Sequence, residues 1–458
     1  MRKKIVASFC AGLMAVSLAP QGALAHDIHE VNDKIKALEA QLEQLKALVG
    51  KEINQRTADS AALESKVSEV GEVAKAAEAK AKESKNNLKL GKDTTLSYGG
   101  YIRVNGTFDD YQDGTPPTAS VASRILVPSL IPVGNTTPTV STEFNSDVAT
   151  SRFFFKTATN TSAGVVRSHV ELDFLAGGGD ERISNSNNSR IRHAFLAWDY
   201  APDQSLLVGQ TWSTFFNVGA LPDEVDFIGP TSGSLFNRQQ QIRWTKKLKG
   251  GGSFMLAAEN PSTSLDDGGS GIAGNNFDDN SIPDLVARYN GKAGSHAYAI
   301  SVIGREIAVD DGIVSEDSFG VGVNWAGKFN INKANEIKYS LSTGTLGRYI
   351  ALNAFRDGAI DETGDLDLAN VTGGYVSWKA QVAPKWSSVL TYALSTADLA
   401  DGVSSATTEE VSNFNASLFY SPTPKFRFGA GVISAERELE NGVSGDLTRI
   451  QFMSRYVF

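Results

Sequence analysis

Cysteine is all but absent from the 458-residue chain: Cys10 stands alone, and methionine occurs four times. Cys10 falls within an N-terminal stretch with the layout of an export signal, made of Arg2, Lys3 and Lys4, an apolar run from Ile5 to Leu18, then Pro20 and Ala23-Leu24-Ala25. Cleavage is expected after Ala25, so residues 1–25 are read as a signal peptide. The mature chain then has no thiol, which excludes disulfides and cysteine chemistry. Because Cys10 precedes most of the apolar run, it does not mark a lipoprotein. Long apolar runs are lacking as well, and no segment beyond the signal offers the roughly 18 uninterrupted apolar residues of a membrane-spanning helix. Basic charge is in deficit. Removing the three basic residues of the signal takes the formal net charge from −9 to −12, which argues against a nucleic-acid partner.

Two periodicities fill what remains. The first is helical: Val31, Ile35, Leu38, Leu42, Leu45 and Val49 recur at three-four spacing with charges between them. That is a heptad seam. It resumes at Ile53, Leu63, Val67, Val70, Ala74, Ala77 and Ala81 after a stutter near Val49, which locally unwinds a supercoil. An α-helical coiled coil is therefore predicted over 26–85, followed by a linker at 86–94. Its apolar stripe requires partners, and mixed Ile, Leu and Val leave two and three strands both open.

The second periodicity is two, and it runs from 95 to 458. In the last segment Ile450, Phe452, Tyr456 and Phe458 share one face, opposite Arg449, Gln451 and Arg455. In the first, Leu96, Tyr98, Ile102, Val104 and Phe108 oppose Ser97, Tyr101, Arg103, Asn105 and Thr107. Sixteen such segments are separated by seven short turns and eight long connections, the first of these at 111–150 and the third at 212–237. An all-β transmembrane barrel of about 16 antiparallel strands is predicted, apolar side chains facing lipid and polar ones facing a water-filled interior. Phe319, Val321, Val323 and Trp325 are assigned to the lipid side. So are Ile337, Tyr339 and Leu341, Val376 and Trp378, and Phe414, Ala416, Leu418 and Tyr420.

Inward parity collects Arg103, Arg152, Lys156, Arg167, Arg243, Arg288, Arg427, Arg449 and Arg455, so the interior is predicted to be basic although the protein is acidic. The acidic pairs, Asp109-Asp110 and Asp361-Glu362 among them, are assigned to the outer loops. At physiological salt a field reaches only about 8 Å, so residues at the narrowest point outweigh distant loops. The segment Leu221-Pro222-Asp223-Glu224-Val225-Asp226-Phe227-Ile228-Gly229-Pro230 is similar to the inward-folded constriction loop of general trimeric porins. Asp223, Glu224 and Asp226 are predicted to face the arginine wall, creating a transverse field. Any one arginine could instead pair with Glu171 or Asp173 and only shape the wall.

Catalysis is not expected. Ser168 and His169 are the only nucleophile-base candidates, and strand neighbours point to opposite faces. The Asp- and Gly-rich run from Asp266 to Asn280 lacks the terminal glutamate of a calcium loop, so no metal and no cofactor is assigned.

The blocks Ser151-Arg152-Phe153, Val170-Glu171-Leu172-Asp173-Phe174, Arg190-Ile191-Arg192-His193-Ala194, Gly209-Gln210-Thr211-Trp212-Ser213 and Arg238-Gln239-Gln240-Gln241-Ile242-Arg243 carry a further signal. Together with Gly177-Gly178-Gly179, Ser184-Asn185-Ser186 and Leu221-Pro222, they resemble the DcaP-like family of trimeric outer-membrane porins. The resemblance spans essentially the whole mature chain and is densest over 151–245. It implies a homotrimer in the outer membrane, with lipid and lipopolysaccharide around it and the coiled coil in the periplasm, where it is free to touch periplasmic or cell-wall components. It also implies passive uptake of dicarboxylates and other small anions, and it places Arg192 in the pore wall. Alternation alone was ambiguous there, since His193 and Phe195 would then face outward. The alternatives are a neutral-solute or general diffusion porin, which a line of lumen aromatics (Tyr101, Phe153, Phe155, Tyr375) would favour, and a structural or adhesive trimeric surface protein.

Overall fold

The computed structural model describes residues 87–458 apart from 118–119, 135–139, 177–186, 267–275, 278, 311–313 and 362, together with nine helical positions between 36 and 51. The predicted signal peptide and most of the predicted coiled coil lie outside the described residues. Residues 86–458 form a compact unit of their own.

That unit is a closed antiparallel barrel. In chain order its wall begins with β1 (Thr94–Tyr111), β2 (in two pieces, Ser141–Asp147 and Arg152–Thr161), β3 (Gly164–Asp173) and β4 (Arg190–Ala201). It continues with β5 (Gln204–Trp212), β6 (Arg238–Lys247), β7 (Ser253–Glu259), β8 (Asp284–Ala293), β9 (His296–Asp310) and β10 (Ser315–Asn330). The last six are β11 (Asn335–Gly344), β12 (Asn370–Ala383), β13 (Trp386–Asp398), β14 (Thr408–Thr423), β15 (Phe426–Leu439) and β16 (Ser444–Val457). Each pairs with the next, and β16 closes on β1 from Tyr101↔Val457 to Tyr111↔Leu447. Closure leaves no edge whose backbone groups would face hydrocarbon unpaired. The expectation of a linker at 86–94 is corrected: Asn87–Leu90 is a short strand hairpinned onto the start of β1, because Leu88 and Leu90 alternate with polar residues as the wall strands do.

The wall thus has sixteen strand positions, as the alternation predicts, with one boundary corrected. The first connection is not a loop from 111 to 150: Ser141–Asp147 pairs with β1. Its sequence, STEFNSD, has Phe144 as its one apolar residue, so lipid and water faces are not written into it. Elsewhere the outward face is apolar as expected, with Ile102, Val104, Phe319, Val321, Leu418 and Phe452 all exposed. Of six tryptophans, Trp198, Trp244, Trp325, Trp378 and Trp386 lie near the short turns on this face. Such a girdle marks a membrane interface, and in barrels of this kind the short-turn end faces the periplasm. No helix among the described residues is long and apolar enough to cross a membrane.

Two long loops fold into the barrel. Loop 3 (213–237) and loop 6 (345–369) bury Phe215, Leu235, Leu346, Tyr349, Ile350 and Phe355 against Val286, Ile303, Val371 and Val411 of the inner wall. A bridge joins Leu235 to Ile350. Gly233 has no room for a side chain, since a Cβ there would lie 1.9 Å from the Gly374 carbonyl oxygen of β12. Beside it Ala351, Leu352 and Asn353 all take positive φ (51°, 55° and 62°), a left-handed turn costing roughly 1–2 kcal/mol per residue. The Ser234 carbonyl, which accepts from the Ala351 amide at 3.1 Å, helps hold it. Asp357, fully buried, ties loop 6 down. It accepts from Arg305 Nη1 at 2.6 Å, from the Ser264 amide at 3.0 Å and from the Arg348 amide at 3.2 Å. Loops 3 and 6 therefore fill the interior beside β8, β9, β12 and the loop end of β14.

Candidate functional site

Loop 3 crosses the barrel and is strapped down at both ends. Arg288 donates to the Phe216 carbonyl at 2.8 Å and Lys338 Nζ to the Leu221 carbonyl at 2.8 Å. The Ser232 amide donates to Asn413 Oδ1 at 3.0 Å. At the centre, the Val225 amide donates to Ser417 Oγ at 3.1 Å, while Arg103 Nη2 donates to the Val225 carbonyl.

These anchors correct the predicted role of two loop carboxylates. Glu224 is buried and accepts from the Asn415 amide of β14. Asp226 accepts from the backbone amides of Leu126 (3.1 Å) and Ile228 (2.8 Å), joining loop 3 to the connection between β1 and β2. Both are buried and hydrogen-bonded within the loops and wall instead of facing the channel, although Asp226 stays close enough to Arg103 and Arg449 to feel their charge. Asp223 alone is exposed. It pairs with Arg427, and Arg455 Nη1 lies 4.0 Å away. Burial lifts the Glu224 carboxyl to about 7, with the nearby Asp226 and Asp223 adding to the rise and Thr391 and Asn415 opposing it.

What faces the arginines instead is the Phe227 ring. The guanidinium carbons of Arg103, Arg152 and Arg192 lie 5.6, 5.4 and 5.6 Å from its centroid. The pattern extends both ways. Arg152 is 5.3 Å from Tyr101, whose ring is 5.8 Å from Arg455. Arg192 is 5.6 Å from Trp212, whose ring is 4.5 Å from Arg238. Guanidiniums and rings therefore alternate along one wall, from the loop end of β6 to the turn end of β16. Each such contact is worth about 0.5–2 kcal/mol, which holds long cationic side chains extended against the wall.

The charge along this wall is only partly cancelled. Arg152 lies 3.3 Å from Glu171, Arg192 2.9 Å from Glu171 and 3.0 Å from Asp173, and Arg190 2.9 Å from Asp173. Arg103 is hydrogen-bonded to Asn105 and Val225. Three guanidiniums thus share two carboxylates, and Arg103 is bonded to neither. The pairing with Glu171 and Asp173 that sequence allowed does occur, and it leaves a surplus of positive charge.

Arg192 enters the interior through a feature that alternation cannot show. A bulge between Glu171 and Leu172 in the β3–β4 register sets His193 opposite Glu171 and Ile191 opposite Leu172. Two consecutive residues therefore turn inward. His193 is buried, bonded to Thr211 Oγ1 at 2.9 Å and stacked on His169 at 5.3 Å, and Phe195 packs edge-on against His169 at 5.4 Å. The expectation that His193 and Phe195 face outward is overturned.

Other predicted positions lie elsewhere. Arg167 forms a two-armed pair with Asp199, at 2.7 Å for each arm, close to the turn at 162–163. Arg243, on β6, is partly buried near Glu259 and Arg288 and makes no ring contact with Phe227 among the described residues. Arg449 is fully buried with Asp109 (2.6 and 2.9 Å), so Asp109 is a wall residue and not a loop charge. Phe155 is exposed on the outward face and Phe153 packs on Phe174 and Phe458, which leaves Tyr101 and Tyr375 of the four aromatics offered for a sugar path. Sequence reasoning missed Arg190, Arg238, Trp212 and the part played by Phe227. The clue was the position of Trp212 and Arg238 at the two ends of loop 3.

A family model described as DcaP outer membrane protein matches residues 14–458. Among solved structures, the outer membrane channel DcaP of Acinetobacter baumannii matches with a TM-score of 0.66 and 20% identity, covering 81% of this chain and 99% of that one. OmpT of Vibrio cholerae, an outer membrane protein, matches with a TM-score of 0.50 and 11% identity over 81% of this chain and 99% of its own. Against the curated proteins there is no match. With the family model spanning nearly the entire chain and the barrel closing as an outer-membrane channel does, the protein belongs to the DcaP outer membrane protein family.

Proposed function

We propose that this porin gives passive, anion-selective diffusion to small solutes such as dicarboxylates. The observation that carries the reading is the arginine surplus around Phe227, where Arg152, Arg190 and Arg192 share only Glu171 and Asp173 and Arg103 pairs with neither. An under-neutralised wall attracts anions and repels cations over the few ångströms a solute has there. Arg455 and Arg427, sharing Asp223, repeat the arrangement toward the short-turn end.

The working unit is a homotrimer surrounded by outer-membrane lipid and lipopolysaccharide. Its 26–85 segment forms a coiled coil in the periplasm, available to periplasmic or cell-wall contacts. The heptad seam, which needs partners, supports that assembly. Reversal potentials of the purified channel in a KCl gradient test the selectivity: anion preference is the expected result, and cation preference overturns the reading.

A further inference from the structure

At the loop end of the barrel, where β4 and β6 begin and β5 ends, lies a cavity of about 480 Å³. Arg190, Arg238 and Arg348 line it, with Ile191, Phe236 and Leu352 as its apolar part, and no carboxylate is among its described lining residues. Two of the three arginines are engaged. Arg190 is held in two places by Asp173 (2.9 and 3.0 Å), and Arg348 donates to Gln239 at 2.9 Å and lies 3.5 Å from Asp284. Arg238 differs. It stacks over Trp212 at 4.5 Å, forms no ion pair among the described residues, and buries its Nη1 without a hydrogen-bond partner.

A buried guanidinium N–H without a partner costs more than an ordinary polar group, because the desolvation of a charged donor is uncompensated. Like charges crowd it further, since Arg190 shares the cavity and Arg192 contacts the other end of the same stack through Trp212. A bound anion would remove both penalties. We infer that this cavity is a binding site for an oxyanion, a carboxylate or phosphate group, held chiefly by Arg238 with Arg190 and Arg348 beside it.

The site goes beyond selectivity at Phe227, because binding at the rim is a property of the cavity itself. Two sources supply the chemistry. One is a free small anion arriving from outside, which Trp212 would then separate from Arg192 by a single ring. The other is the phosphate of an outer-leaflet glycolipid, since Ile191, 53% exposed on the outward face, also lines the cavity.

The test uses the full-length protein in planar bilayers, with inorganic phosphate added on the loop side and KCl current recorded. In phosphatidylcholine bilayers a saturable fall in current is expected, its half-effect concentration rising about tenfold in Arg238→Gln and recovering part-way in Arg238→Lys; tenfold corresponds to about 1.4 kcal/mol. A second arm repeats the titration with lipopolysaccharide in the loop-side leaflet. An unchanged titration assigns the site to free anions. A titration lost there, with less lipopolysaccharide co-purifying with Arg238→Gln, assigns it to the headgroup. Heat-modifiable electrophoretic mobility confirms that each variant is folded. Equal half-effect concentrations and equal lipopolysaccharide retention in parent and Arg238→Gln overturn the site. A channel without anion preference whose titration still depends on Arg238 would remove the selectivity reading and leave this one standing.

Discussion

Replacing Arg152 by glutamine probes the arginine surplus directly. The side chain keeps most of its length and a hydrogen-bonding end, so Glu171, already shared with Arg192 at 2.9 Å, is not left without a cation. What is lost is one positive charge on a side chain that remains 21% exposed. For a monovalent ion passing about 5.5 Å from the guanidinium, the interaction is about 0.8 kcal/mol at the dielectric constant of water and about 3 kcal/mol at an effective value of 20. An anion loses this attraction while a cation loses an equal repulsion, so the ratio of their permeabilities changes by twice the energy. Even the smaller figure predicts a fall in anion-to-cation permeability ratio of about tenfold. The assay is the reversal potential of single channels in a KCl gradient, parent against variant, at low and high salt. The shift should shrink as salt rises, because the Debye length falls from about 10 Å at 0.1 M to about 3 Å at 1 M. A variant whose reversal potential equals the parent's at low salt would show that Arg152 carries no net charge toward the solute and is a wall residue neutralised by Glu171.

Glu224 gives loop 3 a pH dependence: its docked carboxyl titrates near 7 against an ordinary 4.5, so docking is strongest below about 4.5 and is lost progressively as pH rises through 7. Protection of loop 3 amides, taken relative to their intrinsic exchange rate at each pH, should fall over that interval in the parent and stay level in Glu224→Gln. Asp357→Asn weakens the hold of Arg305 on loop 6 and leaves a buried guanidinium short of a partner, at about 3–5 kcal/mol, so channel current should become noisier and its mean conductance rise. Arg449→Met strands the buried Asp109 carboxylate at a similar cost of about 3–5 kcal/mol, read as a lower temperature for loss of the heat-modifiable form, and Asp109→Leu in the same chain should restore most of it. Cross-linking of detergent-extracted protein should yield trimers, and deletion of 28–81 should leave an inserted barrel because the wall strands begin at Thr94.

Period-two alternation determined the barrel, its sixteen strand positions and its two faces from sequence alone. Each side chain on a strand answers only to lipid or to water, so the code is local: Ile450 and Phe452 are apolar where Arg449 and Gln451 are not. The code fails where a segment has little to say about either solvent, as at Ser141–Asp147, and where the period itself slips, as at the bulge that turns Arg192 and His193 inward together. The positions of several basic residues on the inner wall were legible, but their electrical state was not. Whether an arginine is free, shared or spent depends on which cross-strand or loop atoms come within about 4 Å of it, and those partners are remote in the chain. Val225 is 122 positions from Arg103, and Asp109 is 340 from Arg449. Only the register of the closed barrel and the docking of loops 3 and 6 decided that Arg449 is neutralised, that Glu224 and Asp226 anchor backbone and wall amides, and that Arg103, Arg152 and Arg192 meet around Phe227.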